Sequence, residues 1–331
     1  AYGSTPARTA PDLDPLATES GSHLDVPRSR FSSNLRRPAV DLATFLIQCL
    51  NSLQYGLLLF LVASGLTLIF GIMGVINLAH GSFYMIGAYM AFALAPVVEA
   101  AFGGGFFATM VVGVVLAVIL GYVLEWAFFS FLYEREHLQQ VLMTYGLILV
   151  FEELRSLIVG DDVHGVKPPE FLSGTIPLGE VMTYPVYRLF ISGVCLLLAA
   201  GMWFVFTRTR LGMMIRAGAS NREMVQSLGV DIKFLYRVVF AAGVAIAVLA
   251  GMVAAPVSSV YPNMGGQVLI ICFVVVVIGG IGSIRGALLA ALLIGVVDTF
   301  GKVVFPQAAG VLVYVLMALI LLWKPDGLFK A

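Results

Sequence analysis

The stretch Gly65 to Ala91, GLTLIFGIMGVINLAHGSFYMIGAYMA, limits what this chain can fold into more than any other. It is apolar enough for a bilayer, yet it carries glycines at 65, 71, 74, 81 and 87, together with Asn77 and His80. In hydrocarbon every backbone N–H and C=O needs a partner, so irregular backbone survives only where protein or a water-lined cavity covers it. Polar side chains at that depth are costly and read as functional. The stretch therefore predicts a helix, a break near Asn77–Gly81 and a second helix, with the break facing a path through the protein.

Composition points the same way. Of the 331 residues, 60% are hydrophobic and 11% charged, against about 45–50% and about 25% in a soluble domain. This predicts an all-α, polytopic membrane helix bundle. Formal net charge is zero, so nothing points to nucleic acid. Cys49, Cys195 and Cys272 lie in apolar runs; an odd, scattered set argues against a disulfide framework and a metal site, and reads as small buried hydrophobes.

Residues 1–40 are rich in Pro, Ser and Thr, carry mixed charge and have no apolar run. They read as a disordered polar tail with no signal peptide, ahead of a transmembrane domain over 41–331. Arg28, Arg30, Arg36 and Arg37 put that tail in the cytoplasm by the positive-inside rule. Hydrophobic runs follow at roughly 42–71, 74–95, 106–132, 140–159, 187–206, 234–256, 268–282, 286–304 and 309–323. A span takes about 20 apolar residues, which gives about eight or nine segments. The linkers with Arg135 and with Arg208 to Lys233, and the end with Lys324 and Lys330, read as cytoplasmic; the acidic stretch 160–186 reads as external.

Parity then exposes a conflict. Three runs lie between the tail and Arg135, so either the tail is outside despite its arginines, or 42–95 does not make two full crossings. Both alternatives stay open at this point. VVVVIGGIGSIRGALLAALLIG (274–295) echoes the opening stretch in plan, as repeats with broken helices do in transporters.

The longest charged insert is 207–233, TRTRLGMMIRAGASNREMVQSLGVDIK. Arg216 to Leu228 has helix-compatible spacing, and Gly229 sits where a helix would end in left-handed conformation. An amphipathic docking element and an ordinary charged loop fit the pattern equally. Glu152 with Arg155, and Asp298 with Lys302, have helical spacing for structural ion pairs. Glu125 reads as a charge near a span end. His80 reads as a donor to a carbonyl freed by the break, ahead of a proton relay. Trp126, Trp203 and Trp323 read as interfacial anchors.

Three of these motifs, NLAHGSFYMIGAY, RLGMMIRAGASNREMVQSLGVD and VVVVIGGIGSIRGALLAALLIG, with the closing WKPDGLF, resemble in kind and order the inner-membrane permeases of branched-chain amino-acid ABC transporters, the LivH type. The resemblance covers about 42–331. It implies an importer subunit in the bacterial inner membrane, pairing with a second permease, two cytoplasmic ATP-binding subunits and a periplasmic substrate-binding protein. It implies no cofactor, no catalytic residue and no metal. By position it makes about 208–233 the ATPase-coupling segment, with Gly212, Arg216, Glu223 and Gly229. It matches Asn77, His80 and Gly81 to the family's Asn-x-Ala-His-Gly motif and Gly279, Gly280 and Gly282 to its later glycine motif; from their chemistry we expect both along the substrate path. The chain departs from the usual pattern at Arg285, which leaves both a turn at depth and a turn at the cytoplasmic surface open.

The residues themselves fit that role. No G-x-x-x-x-G-K-[ST] occurs, so the chain does not cradle phosphates itself. A zwitterion with an aliphatic side chain needs a path of modest polarity and few fixed charges. A urea or short-amide ABC permease and a gradient-driven secondary transporter are the alternatives. An intramembrane enzyme is remote, because no Ser–His, paired Asp or His-Glu-x-x-His arrangement is present.

Overall fold

A computed structural model describes residues 42–133, 135–177 and 183–329; the tail expected over 1–40 lies outside them. Residues 40–331 form one compact unit. Among the described residues the chain is an all-α bundle: α1 (Leu42–Met73), α2 (His80–Phe102), α3 (Gly105–Ala127), α4 (His137–Val159), α5 (Val186–Arg208), α6 (Arg210–Ser220), α7 (Arg222–Ser227), α8 (Ile232–Ser258), α9 (Met264–Gly279), α10 (Ile284–Val304) and α11 (Ala309–Trp323). Six of these, α1, α2, α3, α5, α8 and α10, are long and apolar enough to cross a membrane, while α9 and α11 are shorter apolar helices. The chain is a multi-pass membrane protein.

The core is built around α8, which packs against α1, α2 and α3. Lipid tails are as apolar as leucine, so close helix approach depends on small residues. A Cβ at Gly251 would lie 2.0 Å from Tyr84 O on α2, and one at Gly121 on α3 would lie 2.8 Å from Ala241 Cα. Along the other face α1 and α10 run antiparallel. Phe45 meets Phe300 with ring centroids 5.6 Å apart, Gly56 abuts Ala291 and Leu292, and Gly71 abuts Gly282.

These contacts sort the connections by end. At one end lie Met73, the Arg135 linker, α6–α7, the Gly280–Ser283 turn and the C-terminal residues 326–329. Gln140 ties the Arg135 linker to that end: its Nε2 donates to Leu132 O and Arg135 O at 3.1 Å each. At the other end lie the start of α1, where Asn51 Oδ1 accepts from Arg188 Nη1 on α5 at 2.6 Å, and the 160–186 loop. That loop carries a short hairpin, β1 (Thr175–Pro177) paired antiparallel with β2 (Thr183–Pro185). It is pinned to the exit of α8 by paired 2.8 Å backbone bonds between His164 and Val260.

The ion pairs expected from helical spacing are present, and one is larger than expected. Arg155 Nε donates to Glu152 Oε2 at 3.2 Å, while its other nitrogens reach Gly160 O and Asp161 Oδ1. Arg155 thereby closes the end of α4. Lys302 pairs with Asp298.

Candidate functional site

The two halves of the opening stretch do not meet end to end. α1 stops at Met73 because Gly74 takes φ +67, and its N–H bonds Phe70 O at 3.0 Å. Residues 74–79 are non-helical, and α2 starts beside the middle of α1 rather than beside its end. His80 Nε2 donates to Val62 O at 2.9 Å. Val62 precedes Met73 by 11 residues, about 16 Å along a helix. The carbonyl that His80 reaches is thus in mid-α1, and not one freed by the break as expected. Gly65 makes this possible, because a Cβ there would lie 2.9 Å from His80 Cε1.

The first turn of α2 meets the first turn of α9. A Cβ at Gly81 would lie 2.2 Å from Gly265 O and 2.7 Å from Leu269 Cβ; one at Gly265 would lie 2.8 Å from Gly81 O. Neither helix start has a side-chain cap. Asn77 and His80 are both 0% exposed, and Asn77 Oδ1, Asn77 Nδ2 and His80 Nδ1 have no hydrogen-bond partner. Buried polar atoms of this kind are rare and call for an explanation. With Nε2 carrying the proton given to Val62 O, Nδ1 is an acceptor.

Gly279, Gly280 and Gly282 form a separate structure. Gly280 (φ +94) and Gly282 (φ +81) take left-handed backbone that favours glycine, and Ser283 Oγ accepts from Gly286 N at 3.1 Å to start α10. The closing segment folds onto this turn: Leu328 N donates to Ile278 O at 2.8 Å, and a Cβ at Gly280 would lie 2.0 Å from Phe329 O. Gly265 and Gly279 are 14 residues apart on α9, about 21 Å. The six residues expected along the path therefore divide between a buried meeting of helix starts and a turn at the end of the bundle.

The 208–233 insert is two helices where the spacing predicts one over Arg216–Leu228. Asn221 breaks it: its backbone is extended, and its Oδ1 accepts from Met224 N at 2.9 Å as the N-cap of α7. Gly212 is buried, since α6 folds back so closely that a Cβ there would lie 2.3 Å from Val205 O. Arg216 and Glu223 are exposed. Gly229 has φ +84, the left-handed backbone expected.

Three features escaped the sequence reading. Glu125 is 1% exposed and joins α3 to α8, accepting from Tyr133 Oη at 2.5 Å and from Arg237 Nε at 3.2 Å. Gln140 Oε1 accepts from Ile76 N at 3.4 Å, inside the break. A cavity of about 280 Å³ lies between α2, α3 and α4, lined by Met85, Tyr89, Leu120, Phe151, Leu154 and Arg155. Asn77 and His80 are not among its lining residues.

Taken together, these observations define a polytopic α-helical membrane protein. The family profile for the branched-chain amino acid transport system permease component matches residues 48–322, and the chain belongs to that family. It is 31% identical over 297 residues to the high-affinity branched-chain amino acid transport system permease protein BraD of Pseudomonas aeruginosa, covering 86% of this chain and 95% of that one. It is 28% identical over 294 residues to LivH of Escherichia coli K12, a permease protein of the same named system, covering 86% and 95%. No solved structure matches.

Proposed function

We propose that this chain is the translocating subunit of an ATP-driven importer for branched-chain amino acids in the bacterial inner membrane. The match to permease components over 48–322, at nearly the full length of both relatives, carries this reading. Two ATP-binding subunits would dock below, a second permease would pair with it in the bilayer, and a periplasmic binding protein would deliver substrate. The chain itself performs no covalent chemistry.

The path runs past Asn77, His80 and Gly81. Support comes from the unpartnered buried amide of Asn77 and Nδ1 of His80, at and just before the start of α2, which offer hydrogen bonds without fixed charge. Gly279, Gly280 and Gly282 frame the inner mouth of that path. In this reading α2 and α9 are partial spans that begin inside the bilayer, and α4 completes a set of eight or nine segments. α6–α7 is the coupling element, through Gly212, Arg216, Glu223 and Gly229. With α6–α7 and the Arg135 linker in the cytoplasm, α1 begins on the opposite side. The reading thus gives up the cytoplasmic entry that Arg28–Arg37 alone favour.

The test is uptake of labelled leucine into proteoliposomes holding this chain with its co-purifying subunits and binding protein. Accumulation that requires ATP on the nucleotide-binding side is the expected result. Uptake driven by an ion gradient without ATP would refute the ATP-driven class, and ATP-driven uptake of urea or acetamide but not leucine would refute the cargo.

A further inference from the structure

The end of α1 is held by a residue from a helix far along the chain. The last carbonyls of a helix have no intrahelical partner, and basic groups there are favoured by hydrogen bonding and by the helix dipole. Arg222, the first residue of α7, donates from Nη2 to Met73 O, the last residue of α1, at 3.3 Å. Its guanidinium lies over the ring of Tyr236 on α8, 5.2 Å from the centroid. Tyr236 is buried and meets Tyr133 edge-on at 4.9 Å. One side chain therefore bears on α7, α1 and α8.

The position matters because the break starts one residue later. Gly74 leaves the helix at φ +67, and residues 75–79 lead to Asn77 and His80. The far side of that stretch is fixed by Gln140 Oε1 on Ile76 N, and Gln140 is itself bonded to Leu132 O and Arg135 O. The stretch is gripped on one side by the Arg135 linker and on the other by α7.

We propose that Arg222 is a positioning residue: movement of α6–α7 is passed through its contact with Met73 O to the 74–79 stretch, and so to Asn77 and His80. This rests on the reading of α6–α7 as the ATPase-coupling element. Displacing α7 withdraws the guanidinium from the α1 terminus and leaves the Gln140 bond to Ile76 N on the other side of the stretch.

The test uses the complete transporter in proteoliposomes, comparing wild type, Arg222→Ala and Arg222→Lys. Three quantities are read: ATPase subunits co-purifying, leucine imported per ATP hydrolysed, and hydrogen exchange in peptides spanning 74–79 with and without trapped nucleotide. For Arg222→Ala the expected result is unchanged co-purification, a loss of about tenfold in leucine per ATP, from one lost hydrogen bond to a charged donor, and no nucleotide-dependent change in 74–79 exchange. Arg222→Lys, which keeps the charge without the planar fork, recovers part of both. Unchanged leucine per ATP in Arg222→Ala, or a retained exchange response, overturns the proposal, as does loss of co-purification, which would make Arg222 a docking contact. If the Arg222→Ala chain itself does not fold into the membrane, Arg222→Lys decides on the same two readouts. Absence of ATP-dependent uptake in the wild type would instead refute the functional reading beneath it.

Discussion

Replacing Gly81 by alanine tests the meeting of α2 and α9. The added Cβ would lie 2.2 Å from Gly265 O and 2.7 Å from Leu269 Cβ, against an ordinary contact of at least 3.4 Å. The two helices must therefore part by about 1.2 Å, the difference between 3.4 and 2.2. The nearest atom is backbone and has no rotamer through which to escape. Overpacking costs about 1–3 kcal/mol, and the upper figure applies here. Alanine recovers about 0.5–1 kcal/mol of helix propensity, leaving a net loss of about 2 kcal/mol. Gly146, in α4, is the control, because a Cβ there meets nothing within 4 Å; Gly146→Ala gains about 0.5–1 kcal/mol. The variants should differ by about 3 kcal/mol, or roughly 6 °C at about 2 °C per kcal/mol. Thermal unfolding of the detergent-solubilised protein reads this directly. Equal melting temperatures for the two variants would refute the close approach of Gly81 to Gly265.

Arg237→Ala strands the buried Glu125 carboxylate with Tyr133 Oη as its remaining donor. Because Arg237 is itself 26% exposed, the loss should be about 2 kcal/mol, below that of a fully buried pair. Glu125→Gln should remove most of that penalty in a double-mutant cycle, and independent, additive effects would deny the coupling. At Gly229 (φ +84), where a Cβ meets nothing, alanine should cost only backbone strain, about 1–2 kcal/mol. Gly229→Pro, locked near φ −65°, should uncouple ATP hydrolysis from leucine uptake, and normal uptake per ATP in that variant would sink the coupling assignment. With the native cysteines replaced, Leu42→Cys should react with a membrane-impermeant thiol reagent added outside intact cells, whereas Ser220→Cys should react only after permeabilisation; the reverse pattern would restore a cytoplasmic start to α1.

What the sequence made legible was chemistry that lipid penalises. Asn77, His80 and the surrounding glycines stand out in an apolar run, and residues 74–79, between α1 and α2, are non-helical. Asn221 carried a signal that the helical spacing over Arg216–Leu228 does not show, since an Asn ahead of Arg222–Glu223 is a good N-cap. The pairings were hidden for a physical reason. In water a polar face and an apolar face separate outside from inside, but α9 is apolar apart from Gln267, and in lipid hydrophobicity does not say which side packs. Small residues choose the contact face instead, and with 35 glycines in the chain no single one announces its partner. Gly81 finds Gly265, Gly71 finds Gly282 and Gly280 finds Phe329, all across long separations that leave no local pattern. Glu125 was misjudged in the same way: its place near a span end is visible, but the Arg237 that makes its burial tolerable lies 112 residues later. Long-range polar pairs are therefore the part of this fold that only the assembled bundle reveals. They are also where a membrane protein has most to lose, because a buried carboxylate such as Glu125, 1% exposed, has little water to replace its partner.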